Sequence, residues 1–79
     1  MRTVQVNINS IEKVKTFVNT VTTYDAEFDL ISGRFVIDAK SIMGIFSLDI
    51  SKPIDLNIHT DNESDLDEII EKLASYIVE

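Results

Sequence analysis

The chain has no cysteine, which excludes disulfides and thiolate metal sites. Histidine occurs once, at His59, so imidazole chemistry has a single candidate. No apolar run reaches membrane-spanning length and no leader-like segment opens the chain. The expectation is therefore a soluble, cytoplasmic protein. Positive charge is scarce: 7 Lys and Arg stand against 14 Asp and Glu, for a net charge of −7. Generic binding to nucleic acid or to an anionic membrane is disfavoured, because affinity for phosphates comes from Lys and Arg. The acidity can serve solubility, or attraction to a basic partner surface. Repeats, linkers and low-complexity segments are also missing.

What is present is enough for one small fold. With 79 residues the chain makes a single domain, 1–79. A domain of this size buries only about 60% of its unfolded surface. An apolar fraction of 44% in regular patterns points to a folded globule rather than disorder. Val4, Val6 and Ile8 alternate with polar residues and predict a half-buried strand. Asn9 and Ser10 are capping candidates, and Asn9 with Glu12 has capping-box spacing. Ile11, Val14, Phe17, Val18 and Val21 then recur at helical spacing, which predicts an amphipathic helix over 10–22. Thr20 to Thr23 are poor helix formers, so that end should fray.

Ala26, Phe28 and Leu30 alternate with acidic residues and form the second predicted strand. Ser32-Gly33 reads as a turn, and Arg34 to Ala39 returns with Phe35, Ile37 and Ala39 on one face. A short helix from Ser41 follows. Pro53 opens the last strand, where its missing N–H does least harm. There Ile54, Leu56 and Ile58 face one side, and Asp55, Asn57 and His59 the other. Leu66, Ile69, Ile70, Leu73 and Ile77 predict a final helix with acidic residues in its first turn. Asp61, Glu63, Asp65, Asp67 and Glu68 lack the glycine and terminal glutamate spacing of a calcium loop. They read as a solvated helix start, and no metal or other cofactor is expected. The order is β-α-β-β-α-β-α. Strands that all alternate imply an α+β fold, an antiparallel sheet with one face covered by helices and one face wet.

The segment 40–50 holds too many apolar residues for one face of so short a helix. Ser41 is a candidate N-cap. Some of Ile42, Met43, Ile45, Phe46 and Leu48 must face outward, and outward Met and aromatic groups make an adaptable docking patch. Lys40-Ser41-Ile42-Met43-Gly44 with Ser47-Leu48 resembles the regulatory-serine region of HPr, the small phosphocarrier of the bacterial sugar phosphotransferase system. The resemblance runs back through Tyr24-Asp25-Ala26 and Ser32-Gly33, and forward through Ile54-Asp55-Leu56-Asn57-Ile58. It covers about the last two thirds of the chain. It implies an open-faced sandwich with a four-stranded antiparallel sheet and its helices on one side. It also implies that Ser41 is phosphorylated by a regulatory kinase, and that Ile42, Met43 and Phe46 dock protein partners.

The first third departs from the family. HPr proteins carry a phosphoryl group on a histidine in a Gly-x-His-Ala-Arg-Pro-Ala type motif before the first helix. There the helix N-terminus, the arginine and the imidazole act together. Counting back from Tyr24 places Ser10 at the histidine, Glu12 at the arginine and Lys13 at the proline. The preceding loop is about three residues shorter and has no glycine. Ser10 is thus a degenerate phosphohistidine position and reads as a helix cap. His59 reads as a solvent-facing strand residue. No catalytic residue is expected, and the chain is not read as an enzyme.

The resemblance favours a regulatory domain similar to the catabolite-repression HPr-like proteins. Its partners would be a kinase and a transcriptional regulator or phosphotransferase-system enzyme. The alternative is a structural module that kept the fold, with Met43 and Phe46 buried in a homodimer and Ser41 only a cap. An active phosphocarrier using Ser10 or His59 ranks last.

Overall fold

The alternating stretches become strands and the periodic stretches become helices in a computed structural model that describes residues 2–78. The elements run β1 (Arg2–Val6), α1 (Ile11–Val21), β2 (Glu27–Ser32), β3 (Phe35–Asp38), α2 (Ile42–Ile45), β4 (Ile54–His59), α3 (Glu63–Lys72) and β5 (Ile77–Val78). They build one sheet in the order β3-β2-β4-β1-β5. Every neighbouring pair is antiparallel. The pairs Val4↔Leu56, Leu30↔Leu56 and Leu30↔Ile37 set the register and put these side chains on one face.

That face is the core. Val6, Phe28, Leu30, Ile54, Leu56 and Ile58 meet Val14, Phe17 and Val21 of α1, Ile45 of α2, and Ile69 with Leu73 from α3 and its C-cap. No polar or charged residue is buried among the described residues. Phe17 and Phe28 are fully buried, and each contributes about 2–3 kcal/mol through removal of apolar surface from water. The opposite face is polar. Thr3 Oγ1 donates to Asn57 Oδ1 at 2.6 Å, and Gln5 Nε2 donates to Asp55 Oδ1 at 3.2 Å. These are cross-strand pairs between facing residues.

The sheet has five strands, not four. Ile77 does not extend the last helix. Leu73 caps α3, and the chain turns through Ala74 and Ser75 to pair Ile77 with Val6. The reason is hydrogen bonding: β1 would otherwise present a bare edge. Asn7 N–H also finds the Tyr76 carbonyl at 2.7 Å. The capping box from Asn9 to Glu12 is not used. Ser10 is the N-cap and accepts from Lys13 N–H at 3.2 Å, while Asn9 Oδ1 accepts from Lys13 Nζ at 3.1 Å. At the other end of α1, the hydroxyls of Thr20, Thr22 and Thr23 donate to the carbonyls of Thr16, Asn19 and Thr20. The threonine hydroxyls thus satisfy carbonyls at the end of the helix, which runs to Val21.

The β2–β3 hairpin turns on Gly33 and Arg34, with Ser32 already paired to Phe35. Gly33 has φ +60°, the one positive φ among the described residues. This is the II′ pattern, in which glycine takes the first central position. Phe35 does not join Ile37 and Ala39 in the core; it is 66% exposed. It lies at the tip of an edge strand, beyond the reach of the covering helices. Past α2, Asp49 Oδ1 accepts from the Ser51 hydroxyl at 2.5 Å and from Ser51 N–H at 3.1 Å. This carboxylate organises the loop that leads to Pro53.

Gly44 lets α2 lie against β3. A Cβ there would stand 2.6 Å from Ile37 Cγ2 and 3.1 Å from Ser41 Oγ. Cγ2 branches from Cβ and cannot swing away without a change of χ1. Alanine would gain about 1 kcal/mol of helix propensity, against an overpacking cost of about 1–3 kcal/mol. Gly44→Ala is expected to lower the thermal midpoint by a few degrees; an unchanged midpoint would mean that α2 shifts off β3 at no cost. The Ser51 hydroxyl, then the Ser51 amide and the charge of Lys52, hold the Asp49 pKa below its ordinary value. The sign follows: this stabilisation is present above the unfolded carboxylate pKa of about 3.9, and is lost as pH falls through the lowered folded value. In an NMR titration Asp49 should titrate below the ordinary aspartate value, and Ser51→Ala should raise it. Equal Asp49 titration in both proteins would remove Ser51 as the cause.

Candidate functional site

Ser41 sits where β3 hands over to α2, and its backbone is extended, with φ −97° and ψ 97°. Its Oγ accepts from Gly44 N–H at 3.2 Å, which makes it the N-cap. The approach to it is tied down by local bonds. Asp38 Oδ1 accepts from Lys40 N–H at 2.9 Å, and the Asp38 carbonyl accepts from Ser41 N–H at 2.9 Å.

Lys40 reaches further. Its Nζ donates to the Tyr24 carbonyl at 2.8 Å and lies 5.8 Å from the centroid of the Phe28 ring. The Tyr24 ring is in turn 6.5 Å from that of Phe28 and 5.6 Å from Lys72 Nζ. One lysine thus joins the Tyr24-Asp25-Ala26 loop to the start of α2. Its distance in sequence from Tyr24 hid this role, although the ammonium and the carbonyl are each ordinary partners.

The apolar residues of the segment divide as their number required. Ile45 and Leu48 point into the core. Ile42 is half-buried and packs on it. Met43 is 78% exposed and Phe46 is 40% exposed. Ser47 Oγ donates to the Gly44 carbonyl at 2.5 Å and closes the turn. The segment therefore presents a hydroxyl, a half-buried isoleucine floor and two exposed soft groups within two turns.

Ser10 stands at the head of α1, which packs against α2. Its hydroxyl is engaged with Lys13 N–H, as a cap requires. Glu12 and Lys15 are exposed on the same first turns. Ile11 is 60% exposed and leaves the core stripe that its spacing suggested. At the first helical position it projects past the sheet that Val14 and Phe17 cover.

His59 is not simply solvated. It is on the open face of the sheet, where its Nε2 lies 2.9 Å from Asp29 Oδ2. Glu27 is its cross-strand partner. Beside them an open groove of about 490 Å³ is lined by Asp25, Glu27, Phe28, Asp29, Asp38 and Lys40. The carboxylates are spread along strands and do not converge. Among the described residues no group of three or more His, Cys, Asp or Glu side chains is arranged to hold a metal ion. The structure brings Ser41, Ile42, Met43 and Phe46 into one element and leaves His59 across the sheet from them.

No helix among the described residues is long and apolar enough to cross a membrane. No curated protein matches the chain. The family model described as PTS HPr component phosphorylation site matches residues 4–79. Among solved structures, HPr-C-His from Thermoanaerobacter tengcongensis superposes with a TM-score of 0.74 at 24% identity, over 95% of this chain and 93% of that one. The phosphocarrier protein HPr from Bacillus anthracis str. Ames gives a TM-score of 0.72 at 28% identity, over 98% of this chain and 94% of that one. A five-stranded sheet with helices on one face, a serine-capped α2 and a family match over nearly the whole length lead to one conclusion: this chain belongs to the HPr family of the phosphotransferase system.

Proposed function

We propose that this protein is a regulatory HPr domain rather than a histidine phosphocarrier, and that Ser41 is its phosphorylation site. The observation that carries the reading is the contrast between the two helix starts. At α2 the serine stands next to an exposed Met43 and Phe46 and the half-buried Ile42. At α1 the position that the family resemblance gives to histidine is Ser10, already occupied as a cap.

Phosphohistidine exchange needs an imidazole nucleophile in a positive setting. The single imidazole here, His59, is paired with Asp29 and flanked by Glu27. Those carboxylates repel an incoming phosphoryl group. At Ser10 the neighbour Glu12 does the same in the first turn of α1. Ser41 has no acidic residue in the first turn of its helix. A phosphate there adds about two negative charges beside the apolar patch. It changes which partner the patch accepts without rebuilding the core, since Ser41 is the N-cap of α2 and not a core residue. A partner with an arginine beside an apolar pocket fits the phosphorylated form. A regulatory kinase and a transcriptional regulator or phosphotransferase-system enzyme are the expected partners. The setting is cytoplasmic, and catabolite repression is the expected process. The protein needs no cofactor and performs no catalysis of its own.

Mass spectrometry tests this directly. The protein is incubated with ATP and an HPr kinase, and in parallel with phosphoenolpyruvate and the general phosphotransferase enzyme. The expected result is a single phosphate gained only with the kinase and abolished by Ser41→Ala. That variant loses the cap and about 1 kcal/mol, so it remains folded. A gain in the phosphoenolpyruvate tube, removed by His59→Ala or Ser10→Ala, would overturn the reading, as would no gain in either tube.

A further inference from the structure

The β3 edge of the sheet is open, and it is self-complementary. Among the described residues β3 pairs only with β2, and no strand lies on its other side. The two hydrogen-bonding sides of an antiparallel strand alternate along the chain. Ala39 N–H donates to the Phe28 carbonyl at 2.9 Å. By the same register, Ile37 and Phe35 turn their backbone groups toward Leu30 and Ser32. Val36 therefore directs its N–H and C=O away from β2, to the open side. Edges are normally blunted by shortness, charged side chains, proline or a bulge. β3 is short, and its one charge is Asp38 at its end. Phe35-Val36-Ile37-Asp38 has no proline, bulge or lysine, and its Phe35 and Val36 side chains are 66% and 62% exposed.

We propose that β3 of one copy pairs antiparallel with β3 of a second copy, centred on Val36, to form a sheet continuous across two molecules. Three independent features select this occupant and this register. The outward backbone groups of Val36 in the two copies satisfy each other as a hydrogen-bonded pair. The same register sets Arg34 of each copy opposite Asp38 of the other, which gives two opposite-charge pairs on the polar face. It also sets Phe35 of each copy against Ile37 of the other on the helix-covered side, so the exposed ring gains an apolar neighbour. Shifting the register by one residue removes the charge match and misaligns the backbone groups. An unrelated extended peptide would meet only the backbone.

The net charge of −7 opposes association at long range. At physiological salt it is screened beyond about 8 Å, while Arg34 and Asp38 leave the edge itself neutral. A four-residue strand makes a small interface, so the pairing is weak and grows with protein concentration. This surface is distinct from the Met43 and Phe46 patch, and the pairing does not depend on the phosphorylation of Ser41.

Sedimentation equilibrium over a wide concentration range at physiological salt, with NMR of the Val36 amide on the same samples, tests the pairing. The expected result is a monomer–dimer equilibrium in which Val36 N–H becomes protected from exchange as concentration rises. Val36→Lys places two like charges opposite each other and should abolish the dimer. Arg34→Asp, in the exposed turn, should weaken it at least tenfold, and Phe46→Asp should leave it unchanged. A chain that stays monomeric at every concentration overturns the proposal. So does a dimer that survives Val36→Lys or Arg34→Asp, or one that is lost in Phe46→Asp.

Discussion

One apolar sheet face holds this domain together. Phe28, Leu30, Ile54, Leu56 and Ile58 lie on it, and each helix is placed by the stripe it lays against that face. A strand slipped by one residue would turn its whole apolar set to water. The register between β2 and β4 is therefore the tightest constraint in the molecule, because β4 is buried on one face and paired on both edges. With two strands pinned to it, the remaining elements have little freedom. β1 closes one side, β5 finishes the edge of β1, and β3 is left as the margin.

The α2 segment depends on that frame without belonging to it. α2 is four residues long and too short to be stable by itself. It exists because Ile45 and Leu48 drop into the core, because Gly44 allows close contact with Ile37, and because Ser41 supplies the cap. Lys40 adds a cross-brace to the Tyr24 carbonyl. The segment is held at its base and leaves Met43 and Phe46 exposed at its top.

Much of this was legible residue by residue. Alternation placed four strands, and the spacing of Val14, Phe17 and Val21 placed the first helix and its buried stripe. The crowding of apolar residues after Ser41 called for an outward patch, and Met43 and Phe46 form it. Other features were not legible. Ile77 fits helical spacing from Leu73, yet it pairs with Val6, because periodicity is blind to an unsatisfied strand edge. Ile11 and Phe35 carry the right period but sit beyond the ends of the surface that would cover them. The bond from His59 to Asp29 joins residues whose proximity only the strand order creates.

The sequence by itself determined the kinds and order of the first seven elements, most of the core and the hydroxyl at the head of α2, since these follow from local periodicity and capping chemistry. It also put a serine, not a histidine, at the cap of α1. Only the tertiary structure decided that a fifth strand completes the sheet, that Lys40 braces the site, and that one edge with its phenylalanine and valine stays bare. Those outcomes depend on which backbone groups and which surfaces remain unpaired once the core has closed. That is a property of the whole packed chain, and no local window of residues contains it.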